Sequence, residues 1–181
     1  RALAAMNALQ RERVHDLLAS VSAAFDFVLI DTATGIGDTV IDLARHADRV
    51  LVVTSYEPTA IVDAYAMTKL LTVADPRTDV GIVVNDAHST RDGQAVFRQL
   101  DAAARRFLRR DLKYCGCILH DPHVAEAVLA QRPVLSMTPA SPASLGFRRL
   151  ALSVASWRPS GPGPVADRKS TRLNSSHVKR S

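Results

Sequence analysis

Val28-Leu29-Ile30-Asp31-Thr32-Ala33-Thr34-Gly35-Ile36-Gly37 is an apolar run that ends in a carboxylate and opens into a glycine-bearing loop. Residues 25–30 read as a short buried strand, because a brief apolar run bounded by polar and turn-forming residues fits a sheet interior. A carboxylate delivered at a strand end suits Mg²⁺, held directly or through water. A glycine just beyond it lets a backbone N–H approach an anionic ligand, since no Cβ intervenes. An Asp that caps the following turn fits the same residues. Taken alone, the stretch leaves metal binding and capping both open.

Outward from this stretch, residues 50–53 and 80–84 are fully apolar and β-branched, as expected of parallel strands covered on both faces. Residues 114–119 form a fourth strand. Helical patterns occupy residues 2–22, 59–73, 91–110, 122–130 and 144–157. Strands alternating with helices imply right-handed βαβ units, an α/β fold with a doubly wound, mainly parallel sheet over residues 1–158. Residues 159–166, rich in Gly and Pro, are linker-like, and no internal repeat is evident. Ligands of such sheets lie outside the carboxyl ends of the strands. The residues to inspect are therefore Asp31, the run Thr54-Ser55-Tyr56-Glu57-Pro58, the pair Asn85-Asp86, and the pair His120-Asp121.

These strand ends carry a family resemblance. Asp31-Thr32-Ala33-Thr34-Gly35-Ile36 resembles the acidic switch of MinD/ParA-type P-loop ATPases. Val52-Val53-Thr54-Ser55-Tyr56-Glu57-Pro58-Thr59-Ala60-Ile61-Val62-Asp63-Ala64-Tyr65, followed by Lys69, is similar to a segment of the FlhG (FleN, YlxH) branch, the flagellar-number regulators. Gly116 to Asp121, Ala127-Val128, Gln131-Arg132-Pro133 and residues 139–144 follow that branch in order and spacing. The resemblance spans residues 25–157. Its Glu-Pro-Thr and Asp-Ala-Tyr elements are fairly specific, whereas the switch alone is shared across the superfamily.

The resemblance implies an ATP-dependent homodimer that binds ATP and Mg²⁺ and hydrolyses slowly when a partner stimulates it. Asp31 takes the catalytic and Mg²⁺ role, directly or through water, and Gly35 the γ-phosphate contact. Asn85 matches an adenine-reading residue, and an amide can both donate to and accept from a base edge. Asp121 and its neighbours match the loop that covers the base, while Glu57 and Asp63 fit the interface and helix-start region. Implied partners are an FlhF-type GTPase and flagellar basal-body or C-ring proteins, in the cytoplasm with a peripheral contact at the inner face of the membrane. Ala33-Thr34 and Tyr56 depart from the family pattern. The 181 residues contain no glycine-rich loop with its phosphate lysine, so the chain is expected to be the C-terminal part of such an ATPase, inactive by itself. A MinD-like division-site ATPase and a ParA-like DNA-partition ATPase are the alternatives, with a non-hydrolysing scaffold a further one.

Composition narrows the classes. The net charge of +5 invites a nucleic-acid reading, but residues 167–181 hold five basic residues against one acidic. That is +4 in the tail and only +1 before it, so no specific nucleic acid is expected. Residues 167–177 resemble a translated sequencing-library adapter, and the tail is set aside from fold reasoning. Cys115 and Cys117 are too close to staple a fold. Alternating about Gly116 on a strand, both are expected on one packed face rather than in a metal site with His120 and His123. Arg98, Arg105, Arg106, Arg109 and Arg110 read as a solvated helix face in preference to a DNA patch. The amphipathic helix that ends at Trp157 reads as the last core helix in preference to a membrane-surface one.

Overall fold

The computed structural model describes residues 8–32, 35 and 37–157; the tail, the linker-like stretch and the first seven residues lie outside them. In chain order the elements are α1 (Ala8–Ala24), α2 (Asp38–Ala44), β1 (Arg49–Thr54), α3 (Pro58–Ala74), β2 (Asp79–Ala87), α4 (Thr90–Ala103), a π-helical turn (Ala104–Leu108), β3 (Lys113–Leu119), α5 (Pro122–Leu129), α6 (Val134–Met137) and α7 (Pro142–Ser156). The three strands form one sheet in the order β1-β2-β3. Both pairings are parallel, and β1 meets β2 in unbroken register from Arg49↔Asp79 to Thr54↔Val84. The boundaries expected for the strands at 50–53, 80–84 and 114–119 and for the helices from residue 59 onward hold to within a few residues. The short α2 and α6 were not foreseen, because four to seven residues show too little periodicity to read.

β2 is the centre of the core. Ile82 and Val84 are wholly buried, with Val80 and Val83 nearly so, as a strand covered on both faces requires. Val52, Ile82 and Val84 pack with Leu71 of α3 and Val96 and Leu100 of α4 on one face. Val83, Cys115 and Trp157, with Leu51 and Leu150, form a smaller cluster on the other. Helices thus cover both faces, as the alternation of elements predicts. Pro58, Pro122 and Pro142 open α3, α5 and α7, where a missing N–H costs nothing. Ser89, Asp121 and Ser141 cap α4, α5 and α7 with side-chain oxygens.

Trp157 closes the amino end of the sheet. The guanidinium of Arg49 and the ammonium of Lys113 lie 5.9 and 5.6 Å from its ring, and Arg49 Nη1 donates to the carbonyls of Val154 and Trp157 at the end of α7. The first residues of β1 and β3 therefore hold the last helix by charge and hydrogen bond together. Gly81 makes the fit possible: a Cβ there would stand 2.6 Å from Cys115 Sγ and 2.7 Å from the indole.

Two expectations are corrected. Residues 25–30 form no strand: Phe25 is 65% exposed and Leu29 82%. An apolar run becomes a strand only when a neighbour supplies ladder hydrogen bonds, and among the described residues the edge of β1 away from β2 is unpaired. Cys115 and Cys117 also do not share a face. The register slips between Ile82↔Tyr114 and Val83↔Gly116, and Gly116 takes a φ of +130°. This bulge inserts one residue, so Cys115 joins the Trp157 cluster while Cys117 packs against the α4 side. Burial pushes the Cys115 thiol above its ordinary value, in keeping with its place in the core.

Candidate functional site

The carboxyl ends of β2 and β3 are built around a second bulge. Between Val84↔Cys117 and Ala87↔Leu119 the pairing skips, so Asn85 and Asp86 bulge out of the ladder and are both exposed. Asp86 adopts a left-handed φ of 56°, a conformation Asp tolerates better than most residues. His120 meets this turn twice. The His120 N–H donates to the carbonyl of Ala87 at 2.9 Å, and His120 Nδ1 lies 2.8 Å from Asp86 Oδ1. One residue further, the rings of Tyr56 and His88 meet at 4.4 Å, which ties the loop after β1 to the end of β2. Sequence reasoning singled out the strand ends but not these two pairings. They depend on the bulge, which no spacing in the sequence announces.

Asp121 is placed differently from its exposed neighbours. Its side chain is only 1% exposed. One oxygen accepts from the His123 N–H at 3.1 Å and faces His123 Nδ1 at 2.7 Å. The other accepts from the Ala143 N–H at 3.0 Å. The hydroxyl of Ser141 and these N–H groups hold the carboxyl well below the usual carboxylate range. Asp121 thus joins the amino ends of α5 and α7, two helix dipoles that favour a negative charge. The residues expected to cover a base are braced by this carboxylate from inside.

Asp31 and Gly35 lie elsewhere. Both are exposed, Gly35 with φ of +109°. With Thr32 and Asp63 they border a cavity of about 1230 Å³ between residues 25–32 and the unpaired edge of β1. Leu51, Val53, Met67 and Trp157 line it too. Neither Asn85 nor Asp121 borders this space. Glu57 precedes the first turn of α3 without a side-chain capping bond; its N–H donates to Ser55 Oγ at 3.3 Å. Among the described residues no group of three or more His, Cys, Asp or Glu could hold a metal ion, and no helix is long and apolar enough to cross a membrane.

The arrangement offers an amide, an imidazole and exposed ring surface at one end, which fit a heterocyclic base. Asp31, expected to serve Mg²⁺, stands apart from them as an exposed carboxylate at the edge of the cavity. The described residues supply no cradle of backbone N–H groups with a lysine for phosphates.

Comparison with known proteins finds relatives along most of the chain. No family model matches the chain. It is 39% identical over 152 residues to the antiactivator FleN of Pseudomonas aeruginosa, a match that takes in 84% of the chain and 54% of FleN. It is 29% identical over 99 residues to the flagellum site-determining protein YlxH of Helicobacter pylori, covering 54% of the chain and 33% of YlxH. The chain therefore spans about half the length of FleN, and less of YlxH. Among solved structures, the septum site-determining protein MinD of Pyrococcus horikoshii OT3, complexed with Mg-ADP, superposes with a TM-score of 0.63 at 19% identity. That likeness covers 83% of this chain and 60% of MinD, and it speaks for the fold.

Proposed function

From a chain that belongs to the MinD/ParA family, in the branch that holds FleN and YlxH, we propose that it is part of an ATP-binding switch ATPase regulating flagellar number or placement. The observation that carries this reading is the 39% identity to FleN across 84% of the chain. In it, Asn85 reads the adenine, Asp121 braces the loop over the base, and Asp31 with Gly35 serves Mg²⁺ and the γ-phosphate. Mg²⁺, when bound, neutralises charge on the phosphates. ATP-dependent pairing of two copies, with Glu57 and Asp63 near the interface, would present the surface that an FlhF-type GTPase or basal-body proteins bind. A cytoplasmic protein touching the membrane peripherally fits that role.

The 181 residues by themselves are expected to bind ATP more weakly than micromolar. Base contacts without a phosphate cradle lose most of the binding energy, and isothermal titration measures it directly. For the cellular role, the matching 152 residues of FleN are replaced by this chain's, and polar flagella are counted. Near-normal flagellar number supports the assignment. A stably expressed chimera that leaves cells hyperflagellated would overturn it, and misplaced septa on deletion in the source organism would favour the MinD-like alternative.

A further inference from the structure

We propose that His120, with its ring tautomer fixed by Asp86, selects adenine over 6-oxopurines at the carboxyl end of the sheet. The proposal rests on the nucleotide-binding reading above and adds a specificity-determining pair to it. Asn85 cannot discriminate by itself. On the Watson–Crick edge its amide offers one donor and one acceptor and can turn to suit either purine. Adenine offers an amine donor at position 6 where guanine and hypoxanthine offer a carbonyl acceptor. A group whose hydrogen-bonding sense is fixed is needed to tell them apart.

His120 meets that requirement. An ionised carboxylate only accepts, so the 2.8 Å contact with Asp86 Oδ1 must carry its hydrogen on Nδ1. In the neutral ring Nε2 is then left as a lone-pair acceptor. The side chain is 61% exposed, so this acceptor is open to a ligand. His120 follows β3 and is bonded to Asp86, the neighbour of Asn85 on the β2 bulge. A second bond, from the His120 N–H to the Ala87 carbonyl at 2.9 Å, fixes the backbone beneath the ring. Asp86 keeps its left-handed φ of 56° in this exposed position, and strain of that kind concentrates where a side chain must be aimed. An acceptor at Nε2 accepts from the adenine 6-amine and opposes a 6-carbonyl.

The test uses the 181-residue chain at pH 8, with adenosine and inosine as probes, since neither needs a phosphate cradle. Ring ¹⁵N shifts of His120 are expected to report hydrogen on Nδ1. Adenosine is expected to shift the resonances of both Asn85 and His120, and to bind about tenfold more tightly than inosine, the factor of one net hydrogen bond. His120→Ala should bring that ratio close to one. Asp86→Asn should do the same by letting the tautomer turn over, and Asn tolerates the left-handed backbone, so the fold is kept. Hydrogen on Nε2, or an adenosine preference unchanged in His120→Ala, overturns the proposal while Asn85 still responds. Adenosine that perturbs neither residue overturns the base site itself.

Discussion

At the scale of single residues, exposure sets Asp31 apart from Asp121. Asp31 is exposed. In a longer form of the protein that also carries a phosphate-gripping loop, Asp31→Ala is expected to lower ATP turnover roughly a hundredfold. Its melting temperature should stay unchanged. Parent-rate turnover in that variant would remove Asp31 from the site. Asp121 is the opposite case. Its folded-state pKa is depressed, first by the Ser141 hydroxyl and then by the Ala143 and His123 N–H groups. Its stabilisation is therefore fully present above the ordinary carboxylate pKa of about 3.9 and is lost as pH falls below it toward the folded value. Urea midpoints measured from pH 6 to pH 2 should show an acid limb that flattens in Asp121→Asn. An unaltered limb would mean that other carboxylates govern acid unfolding.

At the scale of elements, local chemistry accounts for most helix and strand boundaries. Ser89 accepts from the Asp92 N–H at 3.2 Å and donates to the Asp92 carboxylate at 2.7 Å, so residues 89–92 alone announce the start of α4. Ser89→Ala is expected to cost about 1 kcal/mol, read from chemical denaturation, and a change below a few tenths would deny the cap any weight. The two bulges are another matter. A glycine at 116 permits one, yet nothing in 113–119 says that the strand must slip a residue against β2. Gly81→Ala tests the packing this produces. The added methyl would collide with Cys115 and Trp157, and the expected loss is about 1–3 kcal/mol. A neutral result would show that Trp157 moves aside freely.

At the scale of the whole molecule, the described residues leave one side of the sheet open. Val53 is 64% exposed on β1, and Phe25, Phe27 and Leu29 are exposed across the cavity from its unpaired edge. Apolar surface beside an unpaired ladder edge binds hydrophobic dyes and favours association. The isolated chain is expected to enhance ANS fluorescence and to self-associate at micromolar concentration. A monomeric, sharply melting protein that is silent to ANS would show that this edge is protected. Residues 25–30 explain why sequence misreads this region. Their composition is that of a buried strand, but burial and pairing are properties of neighbours.

By itself the sequence determined the α/β alternation, the parallel sheet, the helix starts and the polar strand ends. Each of those follows from contacts within a few residues: apolar periodicity, proline at first turns, and Ser or Asp at caps. The motif order also carried the family. Tertiary structure alone decided that Cys115 and Cys117 face opposite ways, that Asp121 is a buried brace, and that His120 is bonded to Asp86. It also decided that residues 25–30 lie unpaired. These are relations between segments 22 or more residues apart, or between a strand and a partner it lacks. Such relations depend on register and close packing, which a one-residue slip in a ladder reverses and which no local pattern encodes.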